Sequence, residues 1–521
     1  MSAPITARPT TITMKQWVGF AFMSLGMFMS ILDIQIVSSS LNEIQAGLSA
    51  SQQEISWVQT SYLIAEVIVI PITGFLSEVM STRILFCVAT LGFTIFSVLC
   101  ASAWNIQSMI VFRALQGFFG GAMIPTVFAA NQLMIPTKYH DVSSIIMGLC
   151  ATVAPTLGPT LGGYLTQTFS WHWLFLINLV PGLAITTVVW KLIHIDHPNL
   201  KLLKTFDAVG LLLLAIALGC LQYCLEEGPQ HEWFDDALIR GVGLVSVSAG
   251  VLFLAHAVTH ARPILDLSTL KDRNFFLCCA LSFVIGTGLY GSVYILPLFL
   301  ARVRDFNSLD IGLVMAVTGA FQILTAPFAI ILCKKCDLRL VLFFGLLLFG
   351  VGLNLNRFLT IDSAFWNLFI PQALRGGAMM LCIVPITRIA LGNMPYEKIK
   401  NASSLYNTMR NLGGAIMIAT LNTLLQTRGS YHYSQLADKI TDRRHEVTDF
   451  LSFITEYLNQ KIGLDSHLAS LKLAFQTVHQ QVAVLSFNDC FFVMGAVFFG
   501  SLLLWFLLKK PEHTEMDIEL E

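Results

Sequence analysis

Charged side chains are scarce in this sequence: Asp, Glu, Lys and Arg make up 12% of its 521 residues, about half the share of an ordinary soluble chain. That scarcity excludes the string of solvated domains a soluble chain of this length would form. Missing as well are an HExxH pair, a phosphate-cradling glycine loop and a hydrolase elbow, so no catalytic constellation supports an enzyme. No basic, aromatic-interleaved stretch points to nucleic acid. The alternating pattern of a closed membrane barrel is absent. The eleven cysteines lie mostly inside apolar runs, where a thiol acts as a small hydrophobe. Cys333-x-x-Cys336 has no second pair to complete a metal knot. His194 with His197, and His256 with His260, are weighed in the same way, and no metal site is expected.

What the sequence has instead is apolar length. Hydrophobic residues make up 55% of the chain, and mean hydropathy is +0.70. Runs of ~20 apolar residues are long enough to cross a ~30 Å hydrocarbon core as helices, which satisfy their own backbone hydrogen bonds there. About fourteen spans are expected from hydropathy. Six lie near 16–37, 55–76, 84–102, 108–134, 142–165 and 173–193, and a central pair near 207–225 and 238–258. The last six lie near 274–300, 309–332, 340–358, 366–391, 401–426 and 488–508. The N-terminus is polar through Lys15, and the following run is too long for a signal h-region, so it is expected to stay as the first span. The fold class is therefore an all-α polytopic membrane protein. It divides into an N-terminal six-helix half (1–193), a central two-helix insertion (194–273) and a C-terminal six-helix half (274–521).

Basic residues orient the stack. With the N-terminus inside, seventeen Lys and Arg fall on cytoplasmic segments, among them Arg8, Lys15, Arg83, Lys138, Arg262, Lys334, Lys335 and Lys400; the short outer loops hold four. Such asymmetry marks cytoplasmic loops, so both termini are expected in the cytoplasm. One connection departs from short loops: residues 427–487, with His432, Arg443 and Arg444, form a long outer, periplasmic segment. In it Leu468, Leu471, Phe475, Val478 and Val482 recur at helical spacing. That spacing predicts an amphipathic helix lying on the membrane, docking on a partner or packing on the protein itself. The halves also echo each other. Ala114-Leu115-Gln116-Gly117 matches Ala373-Leu374-Arg375-Gly376. The loops Met134-Ile135-Pro136 and Asn393-Met394-Pro395 lead to the serine pairs Ser143-Ser144 and Ser403-Ser404. Two related halves are the organisation of a transporter with a midplane site between them.

Motifs sharpen this. Arg113-Ala114-Leu115-Gln116-Gly117 resembles the fourth-helix motif of the major facilitator superfamily, and Gly158-Pro159-Thr160-Leu161-Gly162-Gly163 resembles the antiporter motif of its exporters. With Leu32-Asp33 and Trp171-His172-Trp173-Leu174-Phe175-Leu176-Ile177-Asn178, the chain is similar over nearly its whole length to fourteen-span drug:proton antiporters of the EmrB/QacA type, more closely to the EmrB side. The resemblance implies a major facilitator fold in a bacterial inner membrane, and no cofactor, the proton gradient driving transport. It also implies a periplasmic, EmrA-like adaptor and an outer-membrane channel as partners. One motif departs: Gly74-Phe75-Leu76-Ser77-Glu78-Val79-Met80-Ser81-Thr82-Arg83 has Glu78 where the superfamily prefers Asp and Ser81 in place of a glycine. Its charge-pair latch on the cytoplasmic gate falls to Glu78 and Arg83.

Ionisable residues within spans point to function, because a charge near the bilayer centre must face a partner or a wet cavity. Asp33 lies ~24 Å along the first helix from Trp17, and Arg113 ~6 Å inside the outer end of the fourth. Their depths match. Asp33 is read as a proton-carrying carboxylate and Arg113 as its counter-charge, against the alternative of a fixed structural pair. Glu66, near the midplane with Tyr62 one turn away, is the second proton-coupling candidate. Arg410 and Arg375 are deep cations of the C-terminal half that suit an anionic or zwitterionic substrate. Gln116, Tyr290, Tyr294, Gln322 and Gln372 complete the expected cavity. Gly158 and Gly162, four apart, allow close helix approach; Pro155 and Pro159 give the fifth span a place to bend, and Gly163 ends the motif. The function expected is proton-coupled efflux of small amphipathic compounds, drugs or toxic metabolites, by alternating access. The alternative is a dedicated exporter of one metabolite such as a siderophore, and more remotely a membrane sensor or enzyme.

Overall fold

Apolar runs bounded by capping residues set where each helix begins. Ser51 and Glu54 form a reciprocal capping box, Asn105 caps through the Ser108 N–H, and Asp272 caps through the Phe275 N–H at 2.7 Å; each satisfies donors that a helix start leaves open. The computed structural model describes residues 12–38, 40–260, 263–392, 394–438, 445–462 and 466–510. Arg8, Arg262, Asn393, Arg443 and Arg444 lie outside them. Among the described residues all regular structure is helical.

The first half comprises α1 (Met14–Ser38), the short α2 (Leu41–Leu48), α3 (Gln52–Met80), α4 (Thr82–Ala101), α5 (Ile106–Met134), α6 (His140–Thr168), and α7 (Trp173–Leu176) leading into α8 (Leu179–Leu192). The central pair is α9 (Ala208–Glu227) and α10 (Ala237–Thr259). The second half comprises α11 (Arg273–Arg304), α12 (Ser308–Lys335), α13 (Leu338–Leu355), α14 (Phe365–Leu391), α15 (Ile399–Ala437), α16 (His445–Ile462) and α17 (Ser466–Trp505). Among the described residues twelve helices are long and apolar enough to cross a membrane, and α6 makes a thirteenth when its two segments, His140–Pro155 and Leu157–Thr168, are joined across a 45° bend. The bend falls where Pro155 and Pro159 withhold backbone donors. α15 stands where the remaining span is expected, but it is too polar to pass on hydropathy alone.

The halves pack alike. α1 lies on α6, α3 on α5, α4 on both α5 and α8; correspondingly α11 lies on α15, α12 on α14, and α13 on both α14 and α17. Contact between halves runs along two seams, α15 with α3 and α5, and α6 with α12 and α14. The central pair sits outside both, α9 against α3 and α15, with Val247 and Val258 more than two-thirds exposed as expected of a lipid-facing surface. Hereafter the face from which α1 starts, rich in Lys and Arg, is the basic face.

The described ends of the 427–487 segment continue the spans, in α15 up to Ala437 and in α17 from Ser466. α15 has 39 residues and α17 has 40, so each is about 60 Å long, roughly twice the hydrocarbon thickness. The predicted amphipathic stripe belongs to the first part of α17 and stands up from the bundle with the last turns of α15. Asp489 accepts from Arg428 Nε at 2.6 Å and from His432 Nε2 at 2.8 Å, and Tyr433 meets the His479 ring. α16 packs back on α17 through Thr455 and Ser470.

Candidate functional site

Three glycines on one side of α5 bring α3 against it. A Cβ on Gly117 would lie 2.3 Å from the Tyr62 carbonyl oxygen, one on Gly120 2.5 Å from the Tyr62 hydroxyl, and one on Gly121 2.9 Å from Glu66 Cγ. Small residues at such spacing let helix backbones meet, and here they carry Tyr62 and Glu66 into the first half's interior.

Within that interior Asp33 and Arg113 are fully enclosed. Arg113 Nη1 donates to Asp33 Oδ2 at 2.6 Å and to Gln116 Oε1 at 2.9 Å, and its Nε donates to the Val58 carbonyl. Asn178 donates to Asp33 Oδ1 at 2.8 Å and Gln116 at 3.1 Å; both amides also reach Ser97 Oγ. The Tyr62 ring lies 4.3 Å from the guanidinium carbon, and its hydroxyl is 3.3 Å from Ser30 Oγ. Asp33 thus takes three side-chain donors while Arg113 keeps one nitrogen, Nη2, without a partner among the described residues. Glu66, one turn from Tyr62, is 5% exposed and close enough to feel both charges. Its carboxylate has no hydrogen bond or ion pair among the described residues. The site therefore holds one clasped carboxylate and one open one.

The second half repeats this geometry without its acids. Gly376 on α14 takes the place of Gly117, its Cβ position 2.2 Å from the Thr318 carbonyl oxygen of α12. Gln372 and Arg375 reverse the order of Arg113 and Gln116, and Arg375 Nη1 donates to Gln372 Oε1 at 2.8 Å. Thr318 donates to the same oxygen. By this correspondence Tyr62 becomes Thr318, and Glu66, four residues on, becomes the buried Gln322. Arg375 packs within its own half against Phe349 and Gly352 and has no carboxylate partner among the described residues. Arg410 is different. It is buried on α15, donates to Asn407, leaves Nε, like that of Arg375, without a partner among the described residues, and lies 4.8 Å from the Phe128 ring of the other half. Tyr290 and Tyr294 tie α11 to α15 through Asn411 and Asn422.

The antiporter motif lies between two helices. A Cβ on Gly158 would lie 2.3 Å from Gln35 Cβ of α1, while Thr160 fills the space beside Gly312 of α12 in the other half. Gly162 is buried, Gly163 is half-buried, and the carbonyl oxygens of both accept from Thr166.

At the basic face the halves are tied by charge. Lys400, at the start of α15, pairs with Asp196 and donates to the Ser77 carbonyl at 2.9 Å. Asp196 also accepts from the Thr82 N–H and hydroxyl at the start of α4. Arg388 meets Asp141 at 3.5 Å, Asn401 donates to the Asp266 carbonyl, and Ser403 donates to the Pro125 carbonyl at 3.0 Å. Gly74 lies here too, 3.1 Å from Asn401 Cα at its Cβ position. Arg83 stacks on Trp190 at 4.9 Å. Ser81, standing where the family has glycine, has φ 78° and ψ 149°, and its hydroxyl accepts from the Ile84 N–H. The sequence expectation did not reach Asn178 as a ligand of Asp33, Ser97, Asp196 or Lys400. Asn178 was visible as the end of a quoted motif; the others carry no local signal.

The profile of the Major Facilitator Superfamily matches residues 23–418. The colistin resistance protein EmrB of Acinetobacter baumannii is 41% identical over 494 residues, covering 95% of this chain and 96% of its own. The fatty acid resistance protein FarB of Neisseria gonorrhoeae is 30% identical, covering 96% and 97%, and the multidrug export protein EmrB of Escherichia coli 29% identical, covering 94% of each. Among solved structures, the human organic anion transporter MFSD10 aligns over 95% of this chain and 99% of its own with a TM-score of 0.57 at 11% identity, a likeness of fold alone.

Proposed function

The chain belongs to the major facilitator superfamily as a multi-span membrane transporter of the EmrB type, not an enzyme, and on that premise we propose that it exports small amphipathic compounds against inward proton flow. The observation that carries the coupling is the enclosed Asp33–Arg113 clasp with the open carboxylate of Glu66 beside it, set in one half only. Protonating Asp33 removes the charge that Arg113 holds. The guanidinium then needs another acceptor, because an unpaired buried charge is strongly unfavourable. Glu66 is the other carboxylate within reach of the Arg113 charge, so a proton on one carboxylate and a shift of Arg113 toward the other become linked events. That linkage is a means of biasing the two seams. No cofactor is needed, since the proton gradient supplies the work.

The second half, whose equivalent of this site holds Gln322 and Thr318 in place of Glu66 and Tyr62, is read as the substrate side. Arg410 donates to Asn407, lies against Phe128 of the opposite half and has no carboxylate partner among the described residues, which favours compounds carrying an anionic group. The membrane is taken to be the bacterial inner membrane with the basic face cytoplasmic. The tall α15–α17 extension then stands in the periplasm, where the exposed Phe453, Leu468 and Phe475 offer apolar surface to an EmrA-like adaptor serving an outer-membrane channel. Transport in everted vesicles tests the coupling. Asp33→Asn should reach the membrane yet lose pH-dependent accumulation, and Arg113→Lys should keep part of it, since lysine retains the charge but not the planar fork. Normal pH dependence in Asp33→Asn would remove the clasp from the mechanism.

A further inference from the structure

The last turn of α10 carries His256, and His260, four residues on, is the extended residue that caps the helix; their rings stack at a centroid distance of 4.9 Å. The stacking brings the two imidazoles to one side of the helix end, where they can offer two nitrogens to a single metal ion, as paired histidines do in metal sites. Sequence spacing gives that pair no third ligand. The fold supplies one from 49 residues away: Asp207, the residue before α9, whose Oδ1 lies 2.7 Å from His256 Nε2. One ligand atom from each of Asp207, His256 and His260 can be chosen so that all lie within 4.8 Å of one another.

We propose that Asp207, His256 and His260 form a binding site for a borderline divalent transition metal such as Zn²⁺, closing the central helix pair at the basic face. Two nitrogens and one carboxylate suit Zn²⁺, Co²⁺ or Ni²⁺ and argue against Mg²⁺ or Ca²⁺, which prefer all-oxygen shells. Three protein ligands leave a position for water.

The fit needs only small movements. Tetrahedral ligands at ~2.0–2.1 Å from zinc stand about 3.3 Å apart, so His256 and Asp207 part by about 0.6 Å as the metal replaces the shared proton. That proton moves from Nε2 to Nδ1, giving the neutral imidazole a free lone pair. His260 closes the remaining distance by side-chain rotation; it is exposed and makes no side-chain hydrogen bond among the described residues. Asp207 is already oriented. Its carboxylate is buried, capping α9 through the Gly210 N–H at 2.8 Å and accepting from the Ile264 N–H at 3.3 Å. Those bonds stay in place beside the metal and form the supporting shell that ligating carboxylates usually have. A metal here would fasten three pieces together: the start of α9, the end of α10 and the chain leading to α11.

The test uses the purified, tag-free full chain titrated with Co²⁺ in detergent. One equivalent should bind with tetrahedral d–d absorption and no thiolate charge-transfer band, which separates this site from the cysteines. His260→Gln, which removes an exposed ligand without a structural bond, should weaken binding by ~10-fold or more. The rise in thermal midpoint on adding Zn²⁺ should disappear with it. Equal Co²⁺ affinity in wild type and His260→Gln, or a thiolate spectrum in the wild type, would overturn the assignment. Asp207→Asn keeps a capping side chain and should weaken Co²⁺ binding as well; unchanged affinity there counts equally against it.

Discussion

Replacing Lys400 with Met removes the charge that ties α15 to the first half while keeping the length of the side chain. Lys400 and Asp196 are 12% and 14% exposed, between the surface pairs worth under ~1 kcal/mol and the enclosed pairs whose disruption costs ~3–5 kcal/mol. A loss of about 2 kcal/mol follows, since Asp196 keeps its Thr82 donors and is not left bare. At ~1.4 kcal/mol per tenfold this moves the balance between closed and open basic faces roughly thirtyfold. A protein closed about 99:1 would then be open in about a quarter of its molecules. Spin labels at positions 138 and 335, both exposed on the basic face in opposite halves, read this by electron–electron distance after the native cysteines are removed. The Lys400→Met population should gain a longer distance. Asp196→Asn combined with Lys400→Met should add little, because the two residues act as one contact. An unchanged distance distribution, or independent additive effects, would refute the role of the Lys400–Asp196 pair in holding the basic face closed.

Three further outcomes are expected. Arg410→Gln should reduce export of anionic fluorescent substrates in everted vesicles more than that of matched cationic dyes; equal losses would make Arg410 structural. Ser81→Gly should raise the thermal midpoint, because a non-glycine residue in that backbone region costs ~1–3 kcal/mol, whereas losing the cap to glycine costs only a few tenths. Ser81→Ala should lower the midpoint, and a drop in both would mean the backbone is not strained. Cysteines placed at 230 and 435 should react with an impermeant thiol reagent in intact cells and those at 200, 271 and 397 should not; labelling of 271 from outside would reverse the orientation of the central pair.

Much of the scaffold was legible because bilayer thickness imposes length and composition on every span. The meeting of Asp33 and Arg113 was legible for the same reason, since two charges at equal depth in adjacent helices have few other partners. Direction was not. Depth along a helix places Arg375 and Arg410 alike, yet Gly352 and Phe349 hold Arg375 inside its own half while Arg410 reaches Phe128 across the seam. The extension of α15 to Ala437 and the early start of α17 at Ser466 were hidden because hydropathy falls beyond the apolar part of each helix, and falling hydropathy reads as a loop. Lys400 and Asp196 were hidden by distance: they are 204 positions apart, and nothing near either one marks the other.

Substrate-driven proton movement tests the central claim most directly. In proteoliposomes holding a pH gradient reported by an internal dye, adding a transported compound should dissipate the gradient with the wild-type protein. Asp33→Asn should bind the same compound, by intrinsic fluorescence, and leave the gradient standing. Gradient dissipation at the wild-type rate by an Asp33→Asn, Glu66→Gln double variant would contradict proton coupling through these carboxylates.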